Sequence, residues 1–90
     1  MSVEVNIHKT HRSLTDGQAT VAVEGDTIGK CLDNLVARYP DMSPALFQAP
    51  GRLNSKIEIY LNMATTYPDE LATKVNAGDE IHIIVMLAGG

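Results

Sequence analysis

From Val3 to Ile7 apolar and polar residues alternate. Val3, Val5 and Ile7 fall on one side and Glu4 and Asn6 on the other, the period-two pattern of a half-buried strand. A polar stretch containing the turn pair Asp16-Gly17 follows. Alternation then resumes, with Ala19, Val21 and Val23 inward against Thr20, Ala22 and Glu24 outward, so the first two strands are predicted to form a hairpin with a long loop. At Gly25-Asp26-Thr27 the period changes from two to 3.6, and a side-chain oxygen of Asp26 or Thr27 is placed to cap a helix. Ile28, Leu32, Leu35, Val36 and Tyr39 make its apolar stripe, opposed by Lys30, Asp33, Asn34 and Arg38, and Pro40 ends it. Residues 40–56 carry Pro40, Pro44, Pro50 and Gly51 around a short Ala45-Leu46-Phe47 patch and read as loop with room for one helical turn. Ile57, Ile59 and Leu61 alternate with Glu58, Tyr60 and Asn62 as a third strand, and Met63 to Tyr67 has room for a short fourth. Ile81 to Leu87 is a nearly continuous apolar run rich in β-branched residues, the pattern of an interior strand.

This order of elements has a physical solution in an α+β domain: one mixed sheet with a single main helix packed across one face. The last strand, being the most apolar, is expected at the centre and parallel to the first, with a right-handed crossover. Residues 1–87 are expected to form that domain, and residues 88–90, Ala-Gly-Gly, a tail leaving from the middle of the sheet. If Ile81, Ile83, Val85 and Leu87 face the helix, then His82, Ile84 and Met86 face away, with Tyr60 beside them. Clustered apolar residues on an outer face mark a protein partner or lie under a loop, and the residues alone leave both readings open.

Composition narrows the function. Ninety residues leave no room for separate cofactor and substrate domains. Seven basic against eleven acidic residues give a net charge of −4, with no basic run to neutralise successive phosphates, so no nucleic-acid partner is expected. The lone Cys31 cannot form an internal disulfide, Met1-Ser2-Val3-Glu4 has no signal-peptide pattern, and no apolar run approaches the roughly 20 residues of a membrane span. A cytoplasmic protein without a membrane partner is expected.

Several segments invite chemistry and fail on spacing. Gly25-Asp26-Thr27-Ile28-Gly29-Lys30-Cys31 resembles a phosphate loop, but it lacks one residue between the glycines and the Ser or Thr after the lysine. His8, His11 and His82 have no metal-ligand spacing, and no metal is expected. Cys31 falls at the edge of the buried stripe, where a thiol serves as a small hydrophobe; a persulfide role needs an exposed, electropositive site. No nucleophile constellation surrounds Ser13 or the histidines, so no catalytic residue is expected. The end of the chain differs: with glycine at about 7% of average residues, two in succession at a terminus is roughly a 0.5% event. A Gly89-Gly90 end lacks Cβ atoms, fits a narrow channel in extended form, and leaves the Gly90 carboxylate open to attack an activated phosphorus. A frayed terminus is the competing reading of the same residues.

Taken together, Leu87-Ala88-Gly89-Gly90, the Gly25-Asp26-Thr27-Ile28-Gly29 helix entry, the Ile57-Glu58-Ile59-Tyr60-Leu61-Asn62 strand, and Leu71-Ala72-Thr73 before Ala77-Gly78-Asp79-Glu80-Ile81 resemble the ThiS/MoaD family of ubiquitin-like β-grasp sulfur carriers. Within that family the chain looks most like the cysteine-biosynthesis carrier, then the small subunit of molybdopterin synthase. Met63 stands where relatives often place a glycine or an acidic residue. The resemblance implies a carrier rather than an enzyme, a monomer when free and without a cofactor of its own. A ubiquitin-activating-type adenylyltransferase would use ATP to adenylate Gly90, a sulfur donor would convert it to a thiocarboxylate, and a synthase would accept the sulfur. Leu87, Ala88 and Gly89 would line the partner's channel, and Tyr60, His82, Ile84 and Met86 would be docking residues. The alternatives are a protein modifier conjugated through Gly90 to lysines and a non-covalent β-grasp adaptor.

Overall fold

In the computed structural model, residues 2–86 are described. Strands β1 (Val3–Asn6) and β2 (Thr20–Val23) form the expected antiparallel hairpin, with Val3 opposite Val23 and Val5 opposite Val21. Their long connection is not a plain loop. Lys9–Thr15 forms a 3-10 helix capped by His8, whose ring accepts from the Thr10 N–H, and the Arg12 guanidinium donates to the Ile7 carbonyl at 3.1 Å. Thr15 is fully buried there, its hydroxyl 2.9 Å from the Gln18 carbonyl and 3.3 Å from that of Arg12, so the polar side chain enters the core with partners. Ala19, expected inward, is exposed: it lies one residue ahead of β2, where its carbonyl takes the Ile7 N–H but its methyl lies outside the core.

Helix α1 (Ile28–Arg38) starts at Thr27, whose hydroxyl accepts from the Lys30 N–H at 3.1 Å. Ile28, Cys31, Leu32 and Leu35 are buried, Val36 and Tyr39 pack against them at the edge, and Lys30, Asp33, Asn34 and Arg38 face solvent. Tyr39 leaves the helical region, as a residue before proline tends to. The following segment holds more structure than expected. A 3-10 turn (Pro40–Met42) and a single helical turn α2 (Ser43–Leu46) bury Met42 and Leu46, and β3 (Phe47–Ala49) pairs with β4 (Arg52–Leu53) in a separate two-stranded ribbon.

β5 (Ile57–Leu61), β6 (Ala64–Thr65) and β7 (Glu80–Val85) complete a five-stranded sheet of order β2-β1-β7-β5-β6. The apolar last strand is central, parallel to β1 with Val5 beside Ile81, and antiparallel to β5 with Ile59 beside Ile83. The turn between β5 and β6 places Asn62 and Met63 at positive φ, 49° and 70°, the conformation a glycine would adopt without strain. The Asn62 side chain ties this turn to the start of β7, accepting from the Glu80 N–H at 2.9 Å and donating to Asp79 at 3.1 Å. The Asn76 N–H, and then this bond from Asn62, hold the Asp79 carboxyl below its ordinary range.

The phosphate-loop segment is occupied by the fold itself. The Ile28 N–H donates to Thr73, the Cys31 N–H to the Thr27 carbonyl, and Lys30 to the Thr27 hydroxyl, so these donors at the helix start are already used. Gly25 sits at φ 154°, where a Cβ would lie 2.8 Å from the Cys31 nitrogen and 2.9 Å from its Sγ. Gly25 is therefore a close-packing residue. Gly25→Ala is expected to destabilise the protein by about 2–3 kcal/mol through backbone strain and this clash, read as a lower urea midpoint at unchanged m.

Candidate functional site

The candidate site lies on the sheet face away from α1 and at the end of β7. Along β7 the alternation is as expected. Ile81 and Ile83 are buried, Val85 packs at the edge of the core, His82 is half-buried, and Ile84 and Met86 are each 39% exposed. Strand register brings the predicted docking residues together, because Tyr60 pairs with His82 and Ile84 with Glu58. Around them stand carboxylates: Glu58 on β5, Glu80 on β7 with its Oε1 3.4 Å from His82 Nε2, and Glu4 on β1 beside Glu80. The face is thus a small apolar centre with an acidic surround.

The root of the tail is held by one further rung. The Met86 N–H donates to the Lys56 carbonyl at 2.7 Å, which carries the β5–β7 ladder one residue past Val85. Met86, the last described residue, is thus still tied to the central sheet. Leu87, Ala88, Gly89 and Gly90, the predicted channel and reaction residues, lie outside the described residues. Beside Met86 opens a groove of about 520 Å³ lined by Arg52, Leu53, Glu58, Tyr67 and Pro68 among others, with Tyr67 strongly exposed. Sequence patterning missed this groove because its wall is the β3–β4 ribbon, three and two residues long, too short to show a period.

The other candidates stay apart. Cys31 is fully buried, and burial, then the charge of Asp26, push its thiol up, the opposite of a reactive cysteine. The rings of His8 and His11 meet edge to face at 6.2 Å, far along the chain from His82, and burial followed by the neighbouring His8 holds His11 below its ordinary range. Among the described residues no group of three or more His, Cys, Asp or Glu side chains is placed to hold a metal. None of the described helices is long and apolar enough to cross a membrane.

A mixed sheet with its last strand at the centre and one main helix across one face is the architecture expected of a ubiquitin-like β-grasp, and the comparison with known proteins agrees. Residues 5–90 match the ThiS family. The chain belongs to the ThiS family. It is 36% identical to the sulfur carrier protein CysO of Mycobacterium tuberculosis over an alignment of 93 positions that spans 100% of both chains. A chain of the crystal structure of the Amycolatopsis orientalis BexX/CysO complex superposes with a TM-score of 0.88 at 27% identity, covering 98% of this chain and 99% of that one. The crystal structure of SAMP1 from Haloferax volcanii superposes with a TM-score of 0.84 at 28% identity and covers 100% of both chains. The ubiquitin-like β-grasp and the resemblance to sulfur carriers of the CysO kind, expected from sequence, are thereby borne out.

For this ThiS-family chain the two faces of β7 carry different burdens, stability inside and an exposed surface outside. Ile84→Asp is expected to change stability by no more than about 1 kcal/mol, the range of an exposed substitution beside a like charge at Glu58. Ile83→Asp, one residue away and buried, is expected to abolish cooperative unfolding altogether, because it buries an unpaired charge. Urea titrations of the two variants followed by far-UV circular dichroism give the comparison.

Proposed function

We propose that this protein carries sulfur on its C-terminal Gly90 and delivers it in cysteine biosynthesis. The observation that supports the reading most strongly is full-length similarity to CysO at 36% identity with no part of either chain left over. In the proposed sequence, a Gly90 carboxylate oxygen attacks the α-phosphorus of ATP in a ubiquitin-activating-type partner, and pyrophosphate leaves. A sulfur donor then displaces AMP from the acyl adenylate, leaving a thiocarboxylate. Its sulfur becomes the nucleophile toward an activated serine derivative held by an acceptor synthase. Glycine at the last two positions suits this chemistry, since each lacks a Cβ that would obstruct a narrow channel around the reacting carbon.

Tyr60, His82, Ile84 and Met86 are the proposed docking residues, and Leu87, Ala88 and Gly89 the segment threaded into the partner. An apolar centre ringed by Glu4, Glu58 and Glu80 suits a partner surface with an apolar middle and basic side chains at its rim, which speeds encounter more than it tightens the final complex. The BexX/CysO complex, a relative seen with another protein, supports association of this kind. A second reading, conjugation of Gly90 to lysines of other proteins, draws on the likeness to SAMP1, a small archaeal modifier protein.

With a cognate activating enzyme, ATP and sulfide, intact-mass measurement is expected to show one oxygen replaced by sulfur, and deletion of Gly90 to abolish the change. Ile84→Asp is expected to lower the loading efficiency roughly 10- to 100-fold, as for a residue central to a docking surface. An unchanged mass beside an enzyme that loads another carrier contradicts sulfur transfer. A Gly90-dependent ladder of denaturation-resistant conjugates in cells favours the modifier reading instead.

A further inference from the structure

The β-sheet has two edges of different character. β6, at one side, is only Ala64–Thr65, whereas β2, at the other, presents Thr20–Val23 with an unbroken register against β1. The Ile7 N–H donates to Ala19 at 2.8 Å, which fixes the phase of this ladder: Val21 and Val23 turn their backbone groups toward β1, and Thr20, Ala22 and Glu24 turn theirs outward. An edge made of Thr-Val-Ala-Val, without lysine, proline or bulge, lacks the usual features that prevent another strand from adding. Two side chains of α1 occupy its outward carbonyls instead. The Arg38 guanidinium donates to Ala22 at 3.0 Å and the Asn34 amide to Glu24 at 2.6 Å, so both side chains bridge from α1 to β2 and line the groove between them.

We propose that the β2 edge is a self-association surface that Arg38 and Asn34 hold closed. The occupant it fits is a second copy of this chain. Antiparallel pairing about a two-fold axis with Ala22 opposite Ala22 sets Thr20 opposite Glu24, so every outward N–H meets an outward carbonyl of the same edge in the other copy. Val21 then faces Val23 on the helix side, and the small Ala22 side chains meet on the outer side without a clash of charges. The pairing needs the Ala22 and Glu24 carbonyls, and these are the two groups that the helix side chains hold. A closed edge keeps the carrier single while β7, two strands away, remains available to partners.

The test is the oligomeric state of Asn34→Ala/Arg38→Ala. Both residues are exposed, and alanine is at least as good a helix former, so α1 is retained. A second pair, Asn34→Leu/Arg38→Met, keeps side-chain volume while removing the donors. Sedimentation equilibrium is expected to give one-fold mass for the unaltered protein and two-fold mass for both pairs at high micromolar concentration, with Thr20 and Ala22 amides becoming protected from hydrogen exchange as concentration rises. Adding Ala22→Pro, which removes an outward N–H and leaves the β1 ladder intact, is expected to restore one-fold mass. Folded, monomeric double variants overturn the proposal. So does association that leaves the Thr20 and Ala22 amides exchanging as in the unaltered protein, or that survives Ala22→Pro. A dimer of the unaltered chain through this edge overturns the closing role of Arg38 and Asn34.

Discussion

The parallel pairing of the first and last strands is the constraint on which the rest depends. With Val5 beside Ile81, the most apolar segment lies between β1 and β5, and Ile81 and Ile83 share one core with Ile28, Leu32 and Leu35 of the helix. Burying each such side chain contributes about 1.5–3 kcal/mol relative to exposure, so the register has a large energetic basis, and a slip of one residue would send Ile84 inward and Ile83 to solvent. Parallel strands cannot be joined by a tight turn, which is why the helix, the small ribbon and β5 all lie between them in sequence.

The same pairing decides where chemistry can occur. The central strand has neighbours on both sides over Glu80–His82 and is held by β5 alone from there to the bond from Met86 to Lys56, its last described rung.

Where periodicity was long enough, the sequence displayed the fold. β1, β2, α1, β5 and β7 follow directly from alternation or a helical stripe, and the Thr27 cap from a single hydroxyl ahead of that stripe. The 3-10 helix at Lys9–Thr15 was hidden because its one buried residue is Thr15, whose burial depends on carbonyls that only the folded turn brings near. The β3–β4 ribbon was hidden by Pro50-Gly51, which reads as loop although it makes the turn between two short strands. Ala19 continued the alternation by pattern and left the core by position. The outer face was legible from the parity of Ile84 and Met86 alone, whereas its acidic surround required the register of three strands.

Two sites in the chain are chemically able to carry sulfur, the Gly90 carboxyl and the Cys31 thiol, and the structure speaks against the second. Cys31 is enclosed beneath α1 with a raised pKa, so a persulfide there would require opening the core. The most direct measurement is fragmentation mass spectrometry of sulfur-loaded protein, with the added mass located along the chain. A thiocarboxylate carrier places it on fragments containing Gly90 and on none that end before it. Sulfur found on fragments containing Cys31 and absent from Gly90 would contradict the assignment of the chain end as the reactive site.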